Sequence, residues 1–236
     1  MVLQSPPQSN IVYPESDGKP MADNTLQFRW IVTIKENLEL LFANDDRVFI
    51  AGDLLWYPIE GNNALCQAPD VMVVFGRPKG ERRSYQQWKE DNLPPQVAFE
   101  ILSPSNRLKE MTKKFKFYDD YGIEEYYIYD PDSVELVGWI RLEGRFQIIE
   151  DLNGWTSPRL GIRFEVQPET LELYRPDGDR FLTFVELGQA KIEAEQQLEQ
   201  ERRRTEQERQ RADQERQRAD RLAERLRALG IDPDAE

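Results

Sequence analysis

The chain has 236 residues and a formal net charge of −13, with no histidine and a single cysteine. The absence of histidine excludes Ser-His-Asp and Cys-His catalysis and most zinc sites. One cysteine excludes an intramolecular disulfide and a multi-cysteine metal site, and this favours a cytoplasmic protein. Any hydrolytic chemistry would therefore use carboxylates, lysine, tyrosine or a hard metal ion held by oxygen ligands.

The net charge and the distribution of apolar residues disfavour two further classes of protein. No apolar run approaches the ~20 residues of a membrane span, and no signal-peptide pattern begins the chain, so a membrane protein is not expected. The C-terminal tail carries a small part of the net charge, so the preceding domain is itself acidic. This balance disfavours a simple nucleic-acid-binding protein, because non-specific phosphate binding relies on basic residues.

The N-terminal region predicts an arm followed by a helix. Residues 1–20 contain four prolines among polar residues, which is typical of an extended arm. Asp23 or Asn24 is placed to cap a helix that runs to about Ala43. Its apolar residues recur at spacings of three and four, so one helix face is expected to be buried. These residues are Leu26, Trp30, Ile34, Leu38 and Leu41.

Two strand regions follow, each with an acidic residue. Residues 48–58 form a mixed strand region in which Asp53 is either structural or a further acidic group near a site. Pro69 and Asp70 open a second apolar strand that ends at Phe75. The charged connection at 77–95 is long for a compact domain, which indicates a functional or flexible loop.

The central strand, 97–102, is an apolar run interrupted by Glu100. An ionised carboxylate in a buried strand is costly unless a cation, a metal or hydrogen-bond donors face it. Ser105 or Asn106 is then expected to cap a helix that ends before Gly122. Its predicted apolar stripe comprises Leu108, Met111, Phe115 and Tyr118. At ~100° per residue, Lys114 lies at the edge of that stripe.

The rest of the domain reads as β structure, and the tail does not. Strands are predicted at 125–129, in a hairpin formed by 134–140 and 145–149, and at 155–166 and 170–174, and a last apolar run at 181–185 closes the domain. We therefore place the folded domain at 21–187, a charged helical tail at 188–230 and a disordered end at 231–236. Gly230 and Pro233 are expected to stop the tail helix.

The tail contains a seven-residue repeat. Gln-Glu-Arg-Gln-Arg-Ala-Asp occupies 207–213 and again 214–220. The corresponding seam is apolar at both ends and polar in the middle, so a single charged helix and a coiled coil are both compatible with it. A homo-oligomer or a protein partner would be bound through this helix.

Asp70, Glu100 and Lys114 form the constellation that could perform chemistry. If their two strands pair, the carboxylates converge on one Mg²⁺ ion, with waters in the remaining positions. A lysine on the next helix could orient or deprotonate a water, or stabilise charge on a phosphate. Each residue also has a structural interpretation: Asp70 could start a strand, and Glu100 could form a buried ion pair with Lys114 or Arg107.

Four segments together resemble the Uma-type restriction endonuclease family of the PD-(D/E)XK nuclease superfamily. They are Pro69-Asp70-Val71, the run from Phe99 to Arg107, the run from Lys114 to Tyr118, and the run from Gly122 to Pro131. The resemblance extends from Tyr13 to Leu187 and leaves the tail outside. It implies an α/β (α+β) fold of the restriction-endonuclease type, a mixed β-sheet flanked by helices, with hydrolysis of DNA that depends on Mg²⁺ or Mn²⁺.

The resemblance also implies roles for individual residues. Asp70 matches the Asp of the Pro-Asp motif, and Glu100 matches the acidic residue of the next strand. Both would bind the metal, together with the backbone carbonyl of Ile101. Uma-type sequences have a lysine four residues before a helical tyrosine, which here is Lys114 before Tyr118.

The sequence also departs from these patterns. The Uma-type pattern often has Asp where this chain has Glu110. The position of the usual superfamily lysine, two residues after Glu100, holds Leu102. Some members add an acidic residue from the first helix, for which Glu36 is the nearest candidate.

Two functional hypotheses follow. The first is a cytoplasmic, metal-dependent DNA endonuclease with Asp70, Glu100 and Lys114 as its catalytic residues. The alternative is a catalytically inactive nuclease fold that acts as a binding or assembly module through its coiled-coil tail.

Overall fold

The computed structural model describes residues 11–18 and 20–228. Most of the predicted N-terminal arm, the helix stop at Gly230 and Pro233, and the predicted end at 231–236 lie outside the described residues. The chain separates into two compact units, one ending at Thr183 and the other beginning at Phe184.

The first unit combines helices with strands along most of its length. Its helices are α1 (Thr25–Leu41) and α2 (Leu108–Tyr121), with a 3₁₀ turn at Gln87–Lys89. Its strands are β1 (Val48–Gly52), β2 (Trp56–Tyr57), β3 (Val71–Phe75), β4 (Tyr85–Gln86), β5 (Val97–Ile101), β6 (Glu125–Asp130), β7 (Glu135–Leu142), β8 (Arg145–Ile148), β9 (Arg163–Val166) and β10 (Leu171–Tyr174).

A six-stranded mixed sheet in the order β1-β3-β5-β6-β7-β8 forms the centre of this unit. β5 and β6 are parallel, and the other neighbours in the sheet are antiparallel. α2 connects the parallel pair, as a crossover between parallel strands requires. The predicted mixed α/β fold is therefore confirmed.

Each face of the sheet packs against its own helix. Val97, Phe99 and Ile101 of β5 belong to the apolar cluster that contains the buried residues of α1. Ala98 points to the opposite face and belongs to the cluster with Phe117 and Tyr118 of α2. Because side chains alternate along a strand, Glu100 lies on the same face as Ala98 and is directed toward α2.

A side chain caps the start of α1, whereas no side chain caps the start of α2. Asn24 caps α1, since its side chain accepts a hydrogen bond from the Gln27 amide at 2.8 Å. The predicted cap of α2 at Ser105 or Asn106 is wrong: Arg107 precedes the helix and gives no side-chain cap. The Asn106 side chain instead accepts a hydrogen bond from the Ser103 amide at 2.6 Å. Tyr118 is buried, whereas Leu108 at the start of the predicted stripe is 85% exposed.

Ion pairs fix the long connection at 77–95. Arg77 Nε and Arg82 Nε lie 3.0 and 2.7 Å from the Glu90 carboxylate. Tyr85 is fully buried, and its hydroxyl donates to the Leu93 carbonyl at 2.7 Å. Side-chain contacts therefore hold this connection in place, which disfavours the flexible loop that was one of the two predicted alternatives.

The second unit contains helix α3 (Phe184–Ala228), which is 45 residues long. Ion pairs between residues four apart, such as Arg203–Glu199 at 2.9 Å and Arg204–Glu208 at 3.1 Å, stabilise it along its length. The helix begins four residues before the predicted boundary, because the end of the apolar run at 181–185 belongs to the helix. No helix in the described part of the chain is long and apolar enough to cross a membrane.

Candidate active site

The pairing of β3 with β5 brings Asp70 close to Glu100. The two strands are antiparallel, with Val71 opposite Phe99. Asp70, which precedes Val71, therefore lies opposite Glu100, which follows Phe99. Asp70 Oδ2 accepts a hydrogen bond from the backbone amide of Ile101 at 2.7 Å. Both side chains are buried, with Asp70 8% and Glu100 3% exposed.

Helix α2 supplies the groups that face Glu100. Lys114 Nζ lies 2.6 Å from Glu100 Oε2 and also donates to the Ala68 carbonyl at 3.3 Å. The Tyr118 hydroxyl donates to Glu100 Oε1 at 2.6 Å. Residues four apart on a helix share one face, so the Lys-x-x-x-Tyr spacing lets both side chains reach the same carboxylate. The structure thus brings Asp70, Glu100 and Lys114 together.

A pocket of about 340 Å³ lies over this cluster. Asp70 and Lys114 line it, whereas Glu100 does not line it and contacts Lys114. The remaining lining residues come from the N-terminal segment, from α1, from the end of β1, from the loops that precede β3 and α2, and from α2 itself. They include Asp17, Asp23, Gln27, Asp53, Asn106 and Glu110.

The carboxylates of this site are crowded. Burial, followed by the charge of Glu100, raises the pKa of Asp70 to about 8. Burial also raises the pKa of Glu100, although Lys114 and Tyr118 oppose this. Burial lowers the pKa of Lys114, but Glu100 and Asp70 outweigh it, so the pKa of that ammonium stands above its ordinary value. The site therefore holds a charged lysine and still favours additional positive charge.

The first helix contributes Gln27, which sequence reasoning missed. Its side-chain amide donates to the Ile101 carbonyl at 2.8 Å and accepts from the Asp23 amide at 2.8 Å. The predicted acidic candidate on this helix, Glu36, does not line the pocket and pairs instead with Lys35 at 2.9 Å. A signal for Gln27 existed in the sequence, because it continues the buried spacing of Ile31, Ile34 and Leu38 by one turn toward the N-terminus.

Asp53 lines the same pocket from the end of β1. Its backbone has a φ of 48°, and its amide approaches the carbonyls of both Pro69 and Asp70 at 3.2 Å. A non-glycine residue in this region of φ is uncommon and occurs often at functional sites. Burial, followed by the charge of Asp17, raises the pKa of Asp53, and Lys114 opposes this. Asp53 is therefore an acidic group near the site and not merely part of a strand.

The available donors fit a hard cation with water ligands better than a cage of side chains. Among the described residues, no three His, Cys, Asp or Glu side chains are grouped to hold a metal. In the same part of the chain, Asp70 Oδ1 accepts no hydrogen bond, and the Ile101 carbonyl accepts one from the Gln27 side chain. Mg²⁺ is commonly bound by one or two carboxylates with waters in the other positions. Asp70, Glu100 and the Ile101 carbonyl can supply such a set.

A known protein family matches most of this chain. A family model described as "Uma2: Putative restriction endonuclease" matches residues 16–205. The chain belongs to the Uma2 family. The match continues beyond Leu187, so it includes the first part of α3, which the sequence resemblance left outside.

Other comparisons add less to the Uma2 assignment. A similar solved structure is the crystal structure of a putative nuclease belonging to DUF820 from Anabaena variabilis ATCC 29413. It is 14% identical, has a TM-score of 0.42, and the likeness covers 59% of this chain and 74% of that chain. No curated protein matches the sequence.

The lysine of this Uma2 protein that meets Glu100 lies on α2 and not on the strand that carries Glu100. Leu102, two residues after Glu100, does not line the pocket, and its amide donates to the Tyr129 carbonyl at 2.8 Å. The ammonium that faces Glu100 comes instead from Lys114 on α2.

Proposed function

We propose that this Uma2 protein is a cytoplasmic, Mg²⁺-dependent endonuclease that hydrolyses phosphodiester bonds in DNA. The observation that carries the proposal is that Asp70 and Lys114 line one pocket, and that Lys114 also pairs with the buried Glu100. Family membership supports a nuclease role, and the absence of histidine is compatible with this chemistry because carboxylates and an ammonium suffice.

Asp70, Glu100 and the Ile101 carbonyl would hold Mg²⁺, with Mn²⁺ as a substitute. When bound, such a cation supplies positive charge that activates water and polarises a phosphoryl oxygen. The raised pKa of Asp70 supports this assignment, since a divalent cation would offset the repulsion between the two carboxylates. Gln27 holds the Ile101 carbonyl in place, and Tyr118 holds Glu100.

Lys114 would act through its charge. Its pKa is raised, so the ammonium stays protonated at neutral pH and is poorly suited to remove a proton from water. Held between the Glu100 carboxylate and the Ala68 carbonyl, it borders the pocket where a phosphate would bind. There it would stabilise negative charge that develops on the phosphate during attack.

Cleavage of supercoiled plasmid DNA in the presence of Mg²⁺ tests the proposal. Asp70→Asn, Glu100→Gln and Lys114→Met should each reduce the rate by about 10²–10³, as expected for loss of a group that stabilises charge in the transition state. Lys116→Met is the matched control, because Lys116 lies on the same helix but is exposed and pairs with Asp120 at 2.9 Å. Undiminished cleavage by the Glu100 and Lys114 variants would refute the assignment.

The second candidate function is assembly through the tail. Leu198 and Leu222 lie on the seven-residue seam of α3 and are 50% and 60% exposed. Exposed apolar residues at this spacing favour a partner helix. Light scattering of the full chain and of a chain cut after Gly188 tests this, and truncation should lower the mass to that of a monomer. An equal number of subunits in both forms would contradict self-association through the tail.

A further inference from the structure

Beside the candidate active site, the described residues of the acidic first unit include a group of cations that form no ion pair. Arg107, Lys109 and Lys113, here called the α2 cationic cluster, line a second pocket of about 460 Å³. All three residues are exposed. Within the described part of the chain, none of the three forms an ion pair.

Pairing distinguishes this cluster from most other cations of the unit. A cation that is already paired offers less charge to a ligand, because its partner must be displaced first. The paired residues are Lys35, Arg77, Arg82, Arg83, Lys114, Lys116, Arg141, Arg159, Arg163 and Arg175. Arg29, Arg47, Lys89 and Arg145 are also exposed and form no ion pair among the described residues. They lie on four separate segments, which are α1, the turn before β1, the 3₁₀ turn and β8.

The second pocket adjoins the candidate active site. Asp17, Gln67, Ala68 and Glu110 line both pockets. Lys109 and Lys113 are four residues apart on α2 and share a face, and Lys114 follows directly. A polyanion that places one phosphate beside Lys114 would therefore extend its next phosphates along the α2 cationic cluster.

The position of the cluster is unfavourable for the helix itself. Arg107 precedes the first residue of α2 and Lys109 is the second, where the helix dipole favours acidic groups. Residues that oppose a local preference are concentrated at functional sites. Asp17 and Glu110 line the same pocket and oppose the binding of an anion. An anion with several charges can contact several cations of the cluster at once, so the cluster would favour it over a single small anion.

We propose that the α2 cationic cluster binds the DNA backbone phosphates adjacent to the phosphate that is cleaved. The proposal rests on the proposed function for the identity of the polyanion, but binding by the cluster does not require hydrolysis. It explains how a chain with a net charge of −13 engages DNA. Exposed charges beyond about 10 Å are largely screened at 0.1 M salt, so local contacts outweigh the distant acidic surface.

Salt-dependent binding tests the proposal. Affinity for a short fluorescein-labelled DNA duplex is measured by anisotropy across a KCl series with Mg²⁺, in the Glu100→Gln background so that the duplex stays intact. The test variant is Arg107→Gln/Lys109→Gln/Lys113→Gln. The control is Arg47→Gln/Lys89→Gln/Arg145→Gln, which removes the same charge from exposed, unpaired residues elsewhere.

The slope of log affinity against log salt should fall by about 0.9 for each duplex phosphate that the protein no longer neutralises, or about 3 for the test variant. The control should keep the parent slope. Equal slopes for the two variants, or no salt-dependent binding by the parent, would overturn the proposal. Because binding and plasmid cleavage are measured separately, a changed slope without cleavage by the unaltered protein would reject hydrolysis and keep the cluster. Plasmid cleavage by the unaltered protein, together with an unchanged slope for the test variant, would support hydrolysis and reject the role of the cluster.

Discussion

Lys114 on α2 lies 2.6 Å from Glu100 on β5, and the two side chains form an ion pair that is largely removed from solvent. Taking both charges out of water is costly, and their mutual attraction offsets this cost only while both are present. The pair therefore connects the stability of the fold to the charge of the candidate site. A cation that binds Glu100 must share it with the ammonium.

Removal of Lys114 is the first test of this connection. Lys114→Met should lower the free energy of unfolding by about 3–5 kcal/mol, because Glu100 would be left as an uncompensated buried charge. Mg²⁺ or Mn²⁺ should restore part of that loss by supplying positive charge to the same carboxylates. Denaturant unfolding with and without metal measures both effects. The free energy of unfolding of Lys116→Met should change little. A Lys114→Met variant as stable as the parent would contradict the energetic role of the pair.

The raised pKa of Asp70 predicts a stability that depends on pH. The pKa is about 8 in the folded protein, against an ordinary value of 3.8. The folded state therefore binds the proton more tightly, and stability is lost as pH rises from about 4 to about 8. Asp70→Asn mimics the protonated acid and can keep the hydrogen bond from Ile101.

This substitution should stabilise the metal-free protein above pH 8 by a few kcal/mol, since one pKa unit corresponds to about 1.4 kcal/mol. The difference should nearly vanish at pH 4. Thermal unfolding across this range, in the presence of a chelator, measures it. A difference that is constant with pH would show that Asp70 does not titrate in this window.

Gln27 is predicted to position the Ile101 carbonyl. Gln27→Leu should destabilise the protein by about 1–3 kcal/mol, the cost of leaving a buried carbonyl without its donor. It should also weaken Mn²⁺ binding by about 10–100-fold, as is typical for groups that orient metal ligands. Calorimetric titration with Mn²⁺ measures the second effect.

Asn37 offers a matched control for Gln27. It is also a buried polar residue of α1, and its side chain bonds with the backbone of Leu182 at 2.7 and 3.1 Å. Asn37→Leu should destabilise the protein to a similar degree but leave Mn²⁺ affinity unchanged. Equal effects of both variants on Mn²⁺ affinity would assign Gln27 a structural role only.

Glu125 on β6 is a second buried strand carboxylate, and it is predicted to be structural. It accepts hydrogen bonds from the Arg159 amide at 2.7 Å, from the Tyr127 hydroxyl at 3.0 Å and from the Ser157 hydroxyl. Glu125→Ala should cost about 1–3 kcal/mol for each buried donor left unpaired. Metal affinity of the folded protein should persist, and its loss in calorimetric titration would place Glu125 in the metal site.

Glu100 shows how far a single strand can be interpreted. A carboxylate within an apolar run must meet donors or a cation, and helical periodicity placed Lys114 at the edge of the apolar stripe. The burial of Glu125 was not predicted, because this residue lies at the beginning of its strand, where a polar residue is ordinary. The start of α2 was also misplaced, because Asn106 bonds to Ser103 and is not available as a cap.

The sequence by itself determined the positions of the central strands, the end of α2 at Gly122, the Lys-x-x-x-Tyr spacing and the helical tail. These features depend on residue periodicity and on backbone conformations that neighbouring residues impose. Only the tertiary structure decided that Lys114, and not Arg107, meets Glu100, that Gln27 holds the Ile101 carbonyl, and that the α2 cationic cluster is unpaired. Such contacts join segments far apart in the chain, and the packing of α1 and α2 on opposite faces of the sheet determines which of them meet.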